Sequence, residues 1–144
     1  MDESLLNNLA HKLKIAPLSI IREELEMLLL LNIAEEPFAK NLIFYGGTAL
    51  RLAYNCPRFS EDLDFLMPHP IKEAELEKAL LKSVGQYPGL SIADLKEKRN
   101  TLFALMKLQT PLLKHPLTIK IEMSKRKNGI KKEFKPLSSP CSPL

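Results

Sequence analysis

Between Leu117 and Met123 the chain alternates without a break, Leu117, Ile119, Ile121 and Met123 against Thr118, Lys120, Glu122 and Ser124. A repeat of two is the repeat of an extended strand, whose successive side chains point to opposite faces. Such a segment has one face to bury and one to leave polar. It also needs strand neighbours for its main chain and a covering layer for its apolar face.

The remaining sequence supplies both. Leu5, Leu6, Leu9 and Leu13 recur at helical spacing, and Pro17 opens a second amphipathic run through Leu18, Ile21, Leu25, Leu28 and Leu29 to about Ala34. Residues 1–40 therefore form a helical N-terminal part. Leu42-Ile43-Phe44-Tyr45 reads as a buried strand that breaks into the Gly46-Gly47 turn, and Thr48 to Tyr54 as a short helix stopped by Pro57. Asp62-Leu63-Asp64-Phe65-Leu66 alternates like a half-buried strand, closed by Pro68 and Pro70. Ile71 to Gly85 is an amphipathic helix, and Leu90 to Lys98 with Thr101 to Gln109 form a hairpin about Arg99-Asn100. The fold class expected is α+β, a mixed β-sheet with helices packed on it. No internal repeat is present. Residues 1–135 read as one domain, and residues 136–144, rich in Pro and Ser with little to bury, as a flexible tail.

The length of 144 residues suits one domain, and 45% hydrophobic with 26% charged residues is a globular composition. The densest apolar run, Met27 to Leu31, falls far short of the ~20 residues that span a bilayer, so no membrane partner is expected. The acidic start Met1-Asp2-Glu3-Ser4 is unlike a secretory signal, and two cysteines are too few for a disulfide scaffold, so a cytoplasmic location is expected. Charge is unevenly divided. Residues 1–95 carry 9 Lys/Arg against 14 Asp/Glu, net −5, and residues 96–144 carry 12 against 3, net +9. Lys96-Glu97-Lys98-Arg99, Lys125-Arg126-Lys127 and Lys131-Lys132 are either a solvated surface or a field that attracts phosphate-rich partners.

Chemistry concentrates between Phe44 and Phe65. Gly46 and Gly47 permit positive φ and leave no Cβ between main chain and ligand, so their N–H groups can reach phosphate oxygens; the bland alternative is a tight turn. Asp62 and Asp64, two apart on a strand, present both carboxylates to one face. Their repulsion is relieved by a cation, and hard oxygen ligands suit Mg²⁺; a surface pair on an edge strand is the alternative. Glu122 becomes a third carboxylate if its strand lies beside that of Asp62, and otherwise pairs with Lys120 or Lys125. Thr48 could meet a phosphate or cap a helix. Arg58 and Ser60 could contact a triphosphate or bond within their loop, and Lys107 and Lys120 could face phosphate or water. His11, His69 and His115 lack ligand spacing.

Gly46-Gly47-Thr48-Ala49-Leu50-Arg51-Leu52 followed by Arg58-Phe59-Ser60-Glu61-Asp62-Leu63-Asp64-Phe65 closely resembles the core of the AbiEii-type toxin family of bacterial nucleotidyltransferases, within the DNA polymerase beta-like superfamily. The match is specific over about 22 residues and extends to Lys120-x-Glu122. The resemblance implies a polymerase beta-like core that moves a nucleotidyl group from a nucleoside triphosphate to an acceptor hydroxyl. It further implies Mg²⁺ (or Mn²⁺) on Asp62, Asp64 and Glu122, an RNA acceptor, often the tRNA 3′ end, and a toxin of a toxin–antitoxin or phage-defence system with a cognate antitoxin. Members of the family usually continue into a further helical region, whereas this chain ends about twenty residues after Glu122. A shortened, non-catalytic module that binds nucleotide, RNA or a partner protein is therefore the competing expectation.

Overall fold

The computed structural model describes residues 1–125 and 136–141. Its elements run α1 (Glu3–Leu13), α2 (Pro17–Ala34), a 3-10 turn (Pro37–Asn41), β1 (Ile43–Tyr45), α3 (Gly46–Tyr54), β2 (Asp62–Met67), α4 (Glu73–Gln86), β3 (Leu90–Lys98), β4 (Thr101–Leu108) and β5 (Leu117–Lys125). Local chemistry explains their ends. Asp2 accepts a hydrogen bond from the Leu5 N–H at 2.7 Å to cap α1, Lys14 closes it in the left-handed conformation, and Pro17 starts α2 with its fixed φ.

The strands form one five-stranded sheet in the order β1-β2-β5-β4-β3. β2 and β5 run parallel, and the other pairs are antiparallel, so the sheet is mixed. The fold is α+β, as the alternation of periodicities predicts. The β3–β4 hairpin forms at the expected place, and its register slips once between Ile92 and Asp94.

One face of the sheet is apolar throughout. Leu63, Phe65 and Met67 of β2, Leu102, Ala104 and Met106 of β4, and Leu117, Ile119, Ile121 and Met123 of β5 are buried on it with Ile21, Leu25 and Leu29 of α2 and Leu76 and Leu80 of α4. Each such side chain contributes roughly 1.5–3 kcal/mol by leaving water. Truncating a central one, Ile121→Ala, would cost about 2–5 kcal/mol through the cavity it opens. Asn32 ties the two helices together, its Nδ2 donating to Ser83 Oγ at 2.7 Å and to Gln86 Oε1 at 2.8 Å. The alternate residues of β2, β4 and β5 are half-buried or exposed and form the second face.

The expected loose tail is corrected over residues 136–141. The Ser138 N–H donates to the Leu52 carbonyl at 3.0 Å, Leu137 packs on the core, and Cys141 is buried. The Ser139 hydroxyl donates to Glu23 Oε1 and accepts from the Cys141 N–H at 3.0 Å. Composition misled because two apolar side chains and a few acceptors on α2 and α3 suffice to dock a short segment. The basic residues Arg126, Lys127, Lys131 and Lys132 lie outside the described residues, as does the proposed boundary at 135.

Candidate active site

The site begins where β1 turns into α3. Gly46 has φ +88°, a conformation that side chains with a Cβ rarely adopt. A Cβ there would also stand 2.9 Å from Asp64 Oδ2, so the glycine leaves the space beside that carboxylate free. A Cβ on Gly47 would meet Ser60 Cβ and Oγ at 3.1 Å. The helix starts at Gly46, two residues earlier than the sequence suggests, and no side chain caps it. Its first N–H groups are thus left for another acceptor, with the positive end of the helix dipole behind them.

Pairing across the sheet then gathers the acidic residues. β2 and β5 align Asp62 with Lys120 and Asp64 with Glu122, and β1 sets Tyr45 opposite Asp64. In-register neighbours share a face, so the three carboxylates and Lys120 lie together on the open side of the sheet. Lys120 Nζ is 3.7 Å from Asp62 Oδ2 and 3.6 Å from Glu122 Oε1. Partial burial pushes the Asp64 carboxyl above its ordinary value, Asp62 and Glu122 push it further, and Lys120 opposes them. Asp62 and Glu122 in turn raise the Lys120 ammonium. Among the described residues no three carboxylate, imidazole or thiol groups are already gathered as an ion would gather them. The donor set is nonetheless one that a hard cation prefers, oxygen-only, negatively charged and open to solvent on one side.

Arg58 and Ser60 line the adjoining cleft of about 680 Å³ together with Gly47, Leu50, Asp62 and Asp64. Lys107 is not brought there. It lies on the same face opposite Thr118, two strands from β2 and before the level of its first residue. The Thr48 side chain is buried and turned inward, with Oγ1 2.5 Å from the Asp62 carbonyl oxygen and 3.2 Å from Glu26 Oε2. Its hydroxyl therefore neither caps α3 nor faces the cleft.

Three residues that sequence reasoning passed over hold this frame. Arg51 is buried and donates from Nε to Glu23 Oε2 at 2.5 Å and from Nη1 to the Cys56 carbonyl at 3.2 Å, with its guanidinium 3.8 Å from the centre of the Phe59 ring. It fixes the connection between α3 and β2. Glu23 and Glu26 are buried on α2. The signal was present in their phase, since Glu23, Glu26, Leu30 and Ile33 follow at spacings of three and four and share the core stripe.

A glycine turn opening a helix, set against carboxylates from two parallel neighbours of a mixed sheet, defines a nucleotidyltransferase-type fold. The chain belongs to the family described as nucleotidyl transferase AbiEii toxin, Type IV TA system, whose model matches residues 28–140. No curated protein matches it. Among solved structures it resembles JHP933 from Helicobacter pylori at 26% identity over 78% of this chain and 46% of that one, with a TM-score of 0.57. It shares its fold with MenT4, a nucleotidyltransferase toxin from Mycobacterium tuberculosis, at 20% identity over 96% of this chain and 49% of that one, with a TM-score of 0.54. The chain spans about half the length of each.

Proposed function

We propose that this chain carries the nucleotide- and metal-binding part of a nucleotidyltransferase toxin, transferring a nucleotidyl group from a nucleoside triphosphate to an acceptor hydroxyl, with RNA or tRNA as the acceptor and a cognate antitoxin as its regulator. The observation that carries the reading is the convergence of Asp62, Asp64 and Glu122 on one open face beside the Gly46-Gly47 turn. In the reaction the acceptor oxygen bonds to the α-phosphorus, the bond to the β-phosphate bridge breaks, pyrophosphate leaves, and the hydroxyl proton is lost. No protein nucleophile is needed, and the work of the site is positioning and charge compensation.

The main-chain N–H groups at the start of α3 are suited to the triphosphate, with Arg58 and Ser60 at the wall of the same cleft. Asp62, Asp64 and Glu122 would hold Mg²⁺ or Mn²⁺, which offsets the phosphate charge and lowers the pKa of the attacking hydroxyl. Lys120 remains between Asp62 and Glu122 as a further positive group. On the same sheet face Lys96 and Lys98 stand 5.2 and 5.4 Å from the centre of the Phe103 ring, and Phe103 is the register partner of Glu122. An aromatic ring flanked by cations beside the acidic site supports a nucleic-acid acceptor.

The second reading, a module that binds without transferring, has its support in Lys120, whose ammonium already forms ion pairs with two of the three carboxylates. Incubation with each labelled nucleoside triphosphate, Mg²⁺ and total RNA separates the two, with Asp64→Asn as blank. Label on RNA above the blank supports transfer. Label no higher than the blank with every one of the four nucleotides favours the binding module.

A further inference from the structure

The hydroxyl of Thr48 touches two oxygens and owns one hydrogen. One contact is the Asp62 main-chain carbonyl at 2.5 Å, which can only accept, so the Thr48 hydrogen is committed to it. The other is Glu26 Oε2 at 3.2 Å, and two acceptors facing each other there would leave a buried lone-pair clash. The contact is satisfied when the Glu26 carboxyl carries a proton and donates it to Thr48. Both side chains are almost wholly buried, with Glu26 2% and Thr48 3% exposed.

We propose that Glu26 is a positioning residue for the acidic strand: its carboxyl donates to Thr48 Oγ1, which donates to the Asp62 carbonyl and so sets where β2 begins against α3. The inference rests on the metal-binding reading given above. The relay joins three elements, α2, α3 and β2, at the one residue of β2 where the acidic pair starts, and it touches neither carboxylate. Loss of either link frees the Asp62 main chain to move against the glycine turn, and a shift of a few tenths of an ångström is enough to spoil an ion's geometry. Burial holds the proton on Glu26, pushing its pKa up to about 8; the neighbouring Glu23 reinforces, and Arg22 and Arg51 oppose.

The test is titration of Mn²⁺ alone into the full chain, with thermal melting of each metal-free protein alongside. Variants are Glu26→Leu, Glu26→Gln, Thr48→Val, the Glu26→Leu/Thr48→Val double, and Asp64→Asn as control. Glu26→Leu and Thr48→Val are each expected to weaken Mn²⁺ about tenfold while remaining folded, and the double no more than either single, because both cut one relay. Glu26→Gln, whose amide N–H can replace the carboxyl proton, is expected to keep the wild-type affinity, a rescue that mere filling of the site by leucine cannot give. Wild-type affinity in Glu26→Leu and Thr48→Val, with Asp64→Asn impaired, overturns the relay and spares the metal site. Additive losses in the double overturn it too. If Asp64→Asn binds like wild type, the metal site itself falls and the positioning role with it.

Discussion

Replacing Glu26 by glutamine should stabilise the protein, and by an amount that grows with pH. In the unfolded chain the carboxyl titrates near 4.5, while in the folded protein burial pushes it up to about 8. Between those values the folded state holds a proton that the unfolded state has lost. Stability therefore falls as pH rises, by about 1.4 kcal/mol for each pH unit of the window. At about pH 7 the cost has reached roughly 3 kcal/mol, and above about pH 8 it levels near 5 kcal/mol. Below about pH 4.5 both states are protonated and the cost is absent. Glutamine has nearly the same shape and does not titrate. Its second N–H must find a partner, which we set at about 1 kcal/mol. The net gain is then about 2 kcal/mol at neutral pH, an upward shift in Tm of about 4–8 °C for a chain of this size. Urea unfolding at about pH 5 and about pH 8, with equal m values, reads the difference directly. The variant should match wild type at the lower pH and exceed it by about 3 kcal/mol at the higher. Parallel stability curves for the two proteins would refute the reasoning, since they would mean that Glu26 ionises in the folded state as easily as in the unfolded one.

The double variant Asp62→Asn/Asp64→Asn should lose Mn²⁺ binding and be at least as stable as wild type without metal, because Asp62 and Glu122 already disfavour the charge on Asp64; equal Mn²⁺ affinity by calorimetry would contradict it. Gly46→Ala combines a φ of +88° with a Cβ 2.9 Å from Asp64 Oδ2, so a loss of about 1–3 kcal/mol in chemical denaturation and weaker Mn²⁺ binding are expected together. Arg51→Met should destabilise by about 3–5 kcal/mol by leaving Glu23 buried without its partner, and adding Glu23→Leu should recover most of that loss; unchanged melting of the single variant would show that the pair contributes nothing.

Much of this molecule was legible along the chain because its information is local. A strict alternation makes β5 a strand whatever surrounds it, and a glycine pair after an apolar run predicts a turn into a helix. The Asp-x-Asp spacing places two carboxylates on one face by strand geometry alone. What the tertiary structure decided is which distant pieces meet. That Glu122 stands beside Asp64 depends on β5 inserting between β2, to which it runs parallel, and β4 of the hairpin, to which it runs antiparallel, an arrangement set by the covering of the whole apolar face. The inward turn of Thr48, the burial of Glu26 and the clasp of Arg51 on Glu23 join α2 to α3 across 22 to 28 residues of sequence. The docking of residues 136–141 joins Ser139 to Glu23 across 116. Helical phase puts Glu23 and Glu26 on the core stripe of α2 but does not say which partners they meet. Only when the helices pack are they shut away from water, and each must then find a partner wherever the fold has brought one.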